Sequence, residues 1–180
     1  MPDGEYGHYK LNSYMVYVRK ATPADSEQIR SIVEQSWEIA FTDAAARKKI
    51  YRMIREFYPQ GKLNHEINHH ISAFLLAIDG ELAVAFASYK FDPVEETACE
   101  LISLYCLPQT QGKGIDELLI NEIIKNTIAA GGNKIFAVLT HDNGPADLLR
   151  RLNFKLIKTD DQQREPGMFV MAKNLEIPFN

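Results

Sequence analysis

The residues best suited to chemistry lie in "QGKGIDELL", Gln111 to Leu119. Two glycines and a lysine stand between an apolar run and a helical pattern. The first turn of a helix has unpaired N–H donors and about half a positive charge, so a strand, a glycine turn and a helix together aim donors at an anion. Glycine lets backbone approach phosphate oxygens with no Cβ in the way. Lys113 adds a cation. Two well-known glycine loops are excluded. The chain has no G-x-x-x-x-G-K-[ST], and Gly112 and Gly114 lack the third glycine of G-x-G-x-x-G. A second pattern, "HEINHH", places His65, Glu66 and His69 as H-E-x-x-H, with both histidines on one helical face as in zinc hydrolases. No third ligand is in evident reach, so no metal is expected. Cys99 and Cys106 are too few for a disulfide framework and lack zinc-finger spacing.

These groups need a scaffold. At 180 residues the chain is long enough for one domain with a real core. Apolar residues make up 46% and charged residues 24%, ordinary for a globular protein. The net charge of −4 and the lack of a basic stripe argue against a nucleic-acid partner. No apolar run approaches the roughly 18 residues that span a bilayer, and no signal peptide is evident. A cytoplasmic location is the expectation.

Residues 1–14 are polar and read as a loose tail, leaving 15–180 as a single domain. Met15–Ala21 reads as a strand. Thr22, Pro23 and Asp25 have the types of an N-cap, a first helical residue and a capping-box acid. Ile29, Ile32, Val33 and Trp37 recur at helical spacing. A second helix is expected from about Asp43 to Tyr58, ended by Pro59 and Gly61, and "LNHEINHHI" suggests a short third one. Asp79-Gly80 between apolar runs predicts a hairpin. Asp92, Glu95 and Glu96 line a further turn that either holds ammonium groups or is simply solvated. Cys99–Leu107 reads as a strand, Gly114 onward as a helix, Lys134–Thr140 as a buried parallel strand, "GPADLLRRLN" as a short helix, and the last two runs as a pair of strands. The expected fold is α/β: a mixed sheet of about seven strands with helices on both faces.

"LYCLPQTQGKGIDELLINEII" resembles the central motif of the GNAT acyltransferases: a strand, Pro, then Q/R-x-x-G-x-G/A opening a helix. Gln111, Gly114 and Asp116 fall on the three defined positions. The element order matches from about Met15 to Leu175, and "LLRRLNFKLI" resembles the family's following helix and strand. "SWEIAFTD" and the long second helix are weakly similar to the polyamine-acetylating branch.

The resemblance implies acetyl-CoA as cosubstrate and a small primary amine as acceptor, with dimers common. Its pyrophosphate would meet the N–H groups of Gln111, Gly112, Lys113, Gly114, Ile115 and Asp116. Its pantetheine arm would run along Leu104–Cys106, where backbone N–H polarises the thioester carbonyl. Lys134–Thr140 would splay away, and Asn143 matches the family's CoA-arm asparagine. Glu100 takes the place of the base that deprotonates the amine. Tyr105 would face the acceptor. The tyrosine that protonates the leaving thiolate falls on Leu149, with Arg150 its neighbour, so His141 becomes the candidate acid. Asp116 replaces Gly or Ala: it either complements the helix dipole while facing solvent or repels the pyrophosphate. A degenerate domain that binds CoA weakly or not at all, and serves as a binding or regulatory module, is the alternative from another class.

Overall fold

The computed structural model describes residues 7–11, 14–40, 44–70, 72–140, 146–157 and 168–176. The chain divides into two compact units, Met1–Ser88 with Leu104–Leu119, and Tyr89–Ser103 with Ile120–Asn180. Nothing resembling a linker announces that division in the sequence, because the chain passes between the units within regular elements.

In the first unit, strands β1 (Gly7–Leu11), β2 (Tyr14–Lys20), β3 (Ala73–Asp79), β4 (Leu82–Phe91) and the end of β5 (Ala98–Cys106) lie in that hydrogen-bonded order. Strand β1 corrects the expected loose tail. Gly7 pairs with Val18 and Leu11 with Tyr14, so the polar segment joins the sheet through its backbone. Helices α1 (Ser26–Ala40), α2 (Ala44–Phe57) and α3 (Gln60–Asn68) follow the expected pattern. Ile29, Ile32, Val33 and Ile54 are buried on their inner stripes. The Asp79-Gly80 turn has Gly80 at φ 63°, in the left-handed region a hairpin needs.

The entry to α1 is tied down tightly. Pro23–Asp25 forms one 3₁₀ turn, and Asp25 Oδ2 accepts the Thr22 N–H at 2.7 Å. The Arg19 guanidinium grips both Asp25 oxygens at 2.7 and 2.8 Å. Farther along α1, Gln28 Oε1 accepts the Ala83 N–H of β4 at 3.3 Å.

In the second unit the order is β4, β5, β6 (Lys134–Thr140), β8 (Met168–Asn174), β7 (Lys155–Ile157). Helices α4 (Ile115–Ala129) and α5 (Ala146–Arg151) complete the order. Strand β6 pairs parallel with β5 and antiparallel with β8, so the sheet is mixed. It has eight strands among the described residues, where about seven were expected; β1 is the addition. Ile120, Ile123, Ile135, Leu149 and Met171 are fully buried. The fold class is α/β, a mixed sheet flanked by helices. No helix among the described residues is long and apolar enough to cross a membrane.

Gly132, just past α4, is a packing constraint. A Cβ there would lie 2.6 Å from Thr127 Cγ2, 3.0 Å from the Thr127 carbonyl and 3.1 Å from the Phe91 ring. Thr127 is fully buried and its hydroxyl is held by the Ile123 carbonyl, so it cannot rotate away freely. Gly132→Ala is expected to destabilise by about 1–3 kcal/mol, an overpacking cost. Gly61→Ala, where nothing lies within 4 Å, is expected to be neutral or slightly stabilising in helix α3. Urea unfolding of the two variants checks the pair.

Candidate functional site

The glycine turn opens α4. After β5, Pro108–Thr110 makes a 3₁₀ turn, and the Thr110 hydroxyl donates to the Leu107 carbonyl at 2.7 Å. Gly112 and Gly114 then take φ of 73° and 76°. Such values suit glycine and strain a residue with a Cβ. The N–H groups of Gln111 and Lys113 make long internal bonds of 3.3 Å, to Pro108 and Thr110. Among the described residues, those of Gly112, Gly114, Ile115 and Asp116 have no internal acceptor. That is a cluster of donors at a helix N-terminus, the arrangement an anion requires. Gln111, Gly112 and Lys113 are exposed, and Gly114 is half-buried. The Ile115 side chain is buried, so only its backbone can meet a ligand. Gly112 has nothing within 4 Å of where a Cβ would stand, which leaves room for phosphate oxygens.

Asp116 is half-buried, not fully turned to water. Its Oδ1 accepts the Glu117 N–H at 3.0 Å, so the carboxylate occupies one donor of the helix start. Burial pushes the Cys106 thiol up to about 12, and the Asp116 carboxylate adds to the rise. Cys106 is therefore a neutral thiol, unsuited to nucleophilic catalysis. Burial likewise raises the Cys99 thiol to about 11.

Strand β5 changes its alternation along its length. The Ala98 carbonyl accepts the Asp92 N–H from the β4 side, and the Leu107 N–H donates to Val84 of β4 at 2.8 Å. Strict alternation would place an even-numbered and an odd-numbered residue on opposite edges. One step is therefore lost inside β5, as at a bulge. The burial pattern agrees: it alternates at Leu101, Ile102 and Ser103, then becomes uniformly half-buried at Leu104, Tyr105 and Cys106. The ladder to β6 runs from Ala98↔Lys134 to Leu101↔Ala137, while β6 stays paired to β8 as far as Thr140↔Met168. Beyond the change, Cys106 directs its N–H and C=O away from β4.

Tyr105 sits in an aromatic cluster that the sequence pattern did not announce. Its ring stacks on Phe86 at 5.4 Å, meets Tyr58 edge-on at 6.2 Å and lies 6.3 Å from Trp37. Burial, then the neighbouring Tyr58 hydroxyl, raises the Tyr105 phenol above its ordinary value; the Trp37 side chain, hydrogen-bonded to it, opposes this. Tyr105 is thus neutral at physiological pH and a weaker proton donor than a free phenol. The spacing of Trp37 from Val33 marks a helix stripe, but nothing local marks Tyr58 or Phe86 as its neighbours.

In the second unit, Glu100 is half-buried and lies 3.3 Å from the Lys90 ammonium. Leu149 is fully buried, so the place of the expected acid is core, and Arg150 bonds Asp147. His141 and Asn143 fall outside the described residues. The acidic turn is used structurally: Asp92 Oδ1 accepts the Val94 and Glu95 N–H groups, and Glu95 pairs with Lys134 at 2.8 Å. The His65 and His69 rings lie 4.3 Å apart, tilted and exposed, and no cluster of three or more ligating side chains exists among the described residues.

Comparison with curated proteins found no match. Among solved structures, PaiA N-acetyltransferase from Thermoplasma acidophilum, in complex with coenzyme A, is similar at TM-score 0.76 and 24% identity, over 88% of this chain and 98% of that one. Ribosomal-protein-alanine N-acetyltransferase from Brucella melitensis is similar at TM-score 0.60 and 24% identity, over 88% and 99%. An acetyltransferase of the GNAT family from Streptococcus pneumoniae gives 0.68 and 14%, over 89% and 99%. These establish the fold. The family model for GNAT acetyltransferases matches residues 27–154, from α1 through the glycine turn to the residue before β7, and on that match the chain belongs to the GNAT acetyltransferase family.

Proposed function

We propose that the protein is an N-acetyltransferase that uses acetyl-CoA as cosubstrate and acts on a small primary amine in the cytoplasm. The observation that carries this reading is the donor cluster at Gly112, Gly114, Ile115 and Asp116, placed directly after strand β5. A CoA pyrophosphate would bring the negative charge and the acceptor oxygens that such donors suit. The pantetheine arm would lie along Leu104–Cys106. The amine nitrogen attacks the thioester carbon, forming the C–N bond; the C–S bond breaks and the electron pair leaves on sulfur. The amine loses one proton and the thiolate gains one. Glu100 is the proposed acceptor of the first, through water if needed. His141 is the proposed donor of the second, and Asn143 the partner of the CoA arm. Tyr105 would border the acceptor. Direct attack is favoured over an acyl-enzyme because the Cys106 thiol is buried and neutral. Polyamines are the acceptor class to test first.

A second reading is a CoA-sensing module without turnover. Two observations favour it: Asp116 takes the Glu117 N–H, and buried Leu149 leaves no acid at the family's usual place. Isothermal titration of acetyl-CoA, followed by CoA release with a panel of amines, separates the two. Binding with acetylation supports the enzyme. Binding without turnover across the panel supports the module.

Asp116→Asn belongs in the same titration. It keeps the Oδ1 acceptor for Glu117 and removes the charge. At ~5 Å and an effective dielectric near 20 the repulsion of one phosphate charge is about 3 kcal/mol; half-exposure and salt reduce it to about 1 kcal/mol. Acetyl-CoA is therefore expected to bind about fivefold more tightly to the variant. Equal affinities would show that the carboxylate does not face the pyrophosphate.

A further inference from the structure

Ser36 lies mid-helix in α1, and its hydroxyl has two acceptors: the Ile32 carbonyl one turn back at 2.7 Å and the Cys106 carbonyl of β5 at 3.0 Å. A serine inside a helix commonly bonds only to the carbonyl four residues earlier. The second acceptor, 70 residues away, is what that habit does not explain. We propose that Ser36 is a positioning residue for acyl transfer, holding the Cys106 backbone so that its N–H faces the thioester oxygen.

The argument is one of strand geometry. The peptide group joining Cys106 to Leu107 is fixed at both ends. Its N–H donates to the Val84 carbonyl on β4, and its C=O accepts from Ser36 on the opposite side. A residue in a strand directs its N–H and C=O to the same edge. Cys106 therefore presents its N–H on the edge where Ser36 satisfies its carbonyl. Without Ser36 that carbonyl would have no donor among the described residues, and would be free to turn the peptide or to attract water. A backbone donor that stabilises an oxyanion must be aimed before the charge develops. Ser36 supplies that aim from a helix itself anchored through Gln28 to Ala83 and through Asp25 to Arg19. The region offers a reason for such a brace, since β5 has lost its regular alternation before reaching Cys106.

The inference rests on the acetyltransferase reading, and its test is chosen to fail separately. Acetyl-CoA labelled with ¹³C at the carbonyl is bound to wild type, Ser36→Ala and Ser36→Thr, and the thioester carbonyl stretch is read by infrared difference. Wild type is expected to shift the stretch to lower frequency. Ser36→Ala should lose half or more of that shift, and kcat should fall about tenfold, less than the loss of a direct oxyanion donor costs. KM for acetyl-CoA should stay within about twofold, because the pyrophosphate contacts are untouched. Ser36→Thr keeps the hydroxyl and should restore both readouts. A wild-type stretch in the alanine variant would overturn the proposal while leaving the enzyme reading intact. So would a threonine variant as impaired as alanine, which would make Ser36 a packing residue. Failure of wild type to bind acetyl-CoA would remove the reading and the proposal together. Binding without turnover leaves the infrared readout to decide alone.

Discussion

Asp25→Ala is expected to lower folding stability by roughly 3 kcal/mol at neutral pH, the lower end of the cost of breaking a buried ion pair. Asp25 is 4% exposed, and its two oxygens serve the Arg19 guanidinium, the Thr22 N–H and the Thr22 hydroxyl. Alanine would leave those donors without their acceptor and strand a charge that is three-quarters covered, the Arg19 side chain being 25% exposed. Asparagine is no remedy. One carboxylate oxygen would become an NH₂ group facing other donors, so Asp25→Asn should lose nearly as much. The pH dependence follows from the same contacts. Arg19, by its hydrogen bonds, and then Thr22 hold the Asp25 carboxyl down at about 2, against 3.8 ordinarily, while burial opposes them. A carboxyl lowered in the folded state stabilises fully above its unfolded value and loses that contribution as pH falls through the folded value. Wild type should therefore lose this stability between about pH 4 and pH 2, and the gap between wild type and Asp25→Asn should narrow across that window. Urea unfolding at pH 7 and pH 3 tests both points. A gap as wide at pH 3 as at pH 7 would mean that the ion pair is not the source of the difference.

That pin illustrates what the sequence discloses and what it withholds. The capping types at Thr22, Pro23 and Asp25 are local, and local chemistry is readable. So are the Asp79-Gly80 hairpin and the stripe of Ile29, Ile32 and Val33, because each depends on residues a few positions apart. Arg19 as the partner of Asp25 is not readable, since nothing in a strand's alternation says which charge will face the next helix. The glycine turn was readable in type, and Gly112 and Gly114 take the positive φ that suits glycine. The use of the Glu117 N–H by Asp116 was not, because it depends on a side-chain rotamer. Strand β1 was missed for a similar reason. Tyr9 and Leu11 do alternate with His8 and Lys10, but over five residues that pattern is too short to stand out beside the glycines and polar residues around it, and the segment becomes a strand by pairing with β2. Ser36 and the rings around Tyr105 depend on long-range packing, which spacing along the chain does not encode. Asp92, Glu95 and Glu96 show the converse. Their charge leaves a binding role or a solvated turn open, and Asp92 caps its own turn while Glu95 pairs with Lys134, which accounts for both without a ligand.

Gly112→Val should weaken acetyl-CoA binding by about a hundredfold or more while shifting thermal stability by only a few degrees. The two halves of that expectation have separate causes. Gly112 is exposed, and a Cβ there meets nothing within 4 Å, so no core packing opposes the larger side chain. Its φ of 73° is the obstacle. An L-residue in the left-handed region costs about 1–2 kcal/mol, and a β-branched one more. The turn can escape that strain by flipping a peptide, since its internal bonds at Gln111 and Lys113 are long at 3.3 Å. A flip redirects N–H groups of the donor cluster, and a valine that stays puts its methyls where phosphate oxygens would approach. Both routes damage binding, and neither disturbs Ile115 or Leu119 in the core beneath. Gly112→Asn separates them, because asparagine tolerates this backbone region but still adds a side chain. Asparagine near wild-type affinity would assign the effect to conformation; asparagine as weak as valine would assign it to space for the ligand. Wild-type affinity in the valine variant, by isothermal titration, would show that this turn does not hold the pyrophosphate and would move the search for the CoA site elsewhere on the chain.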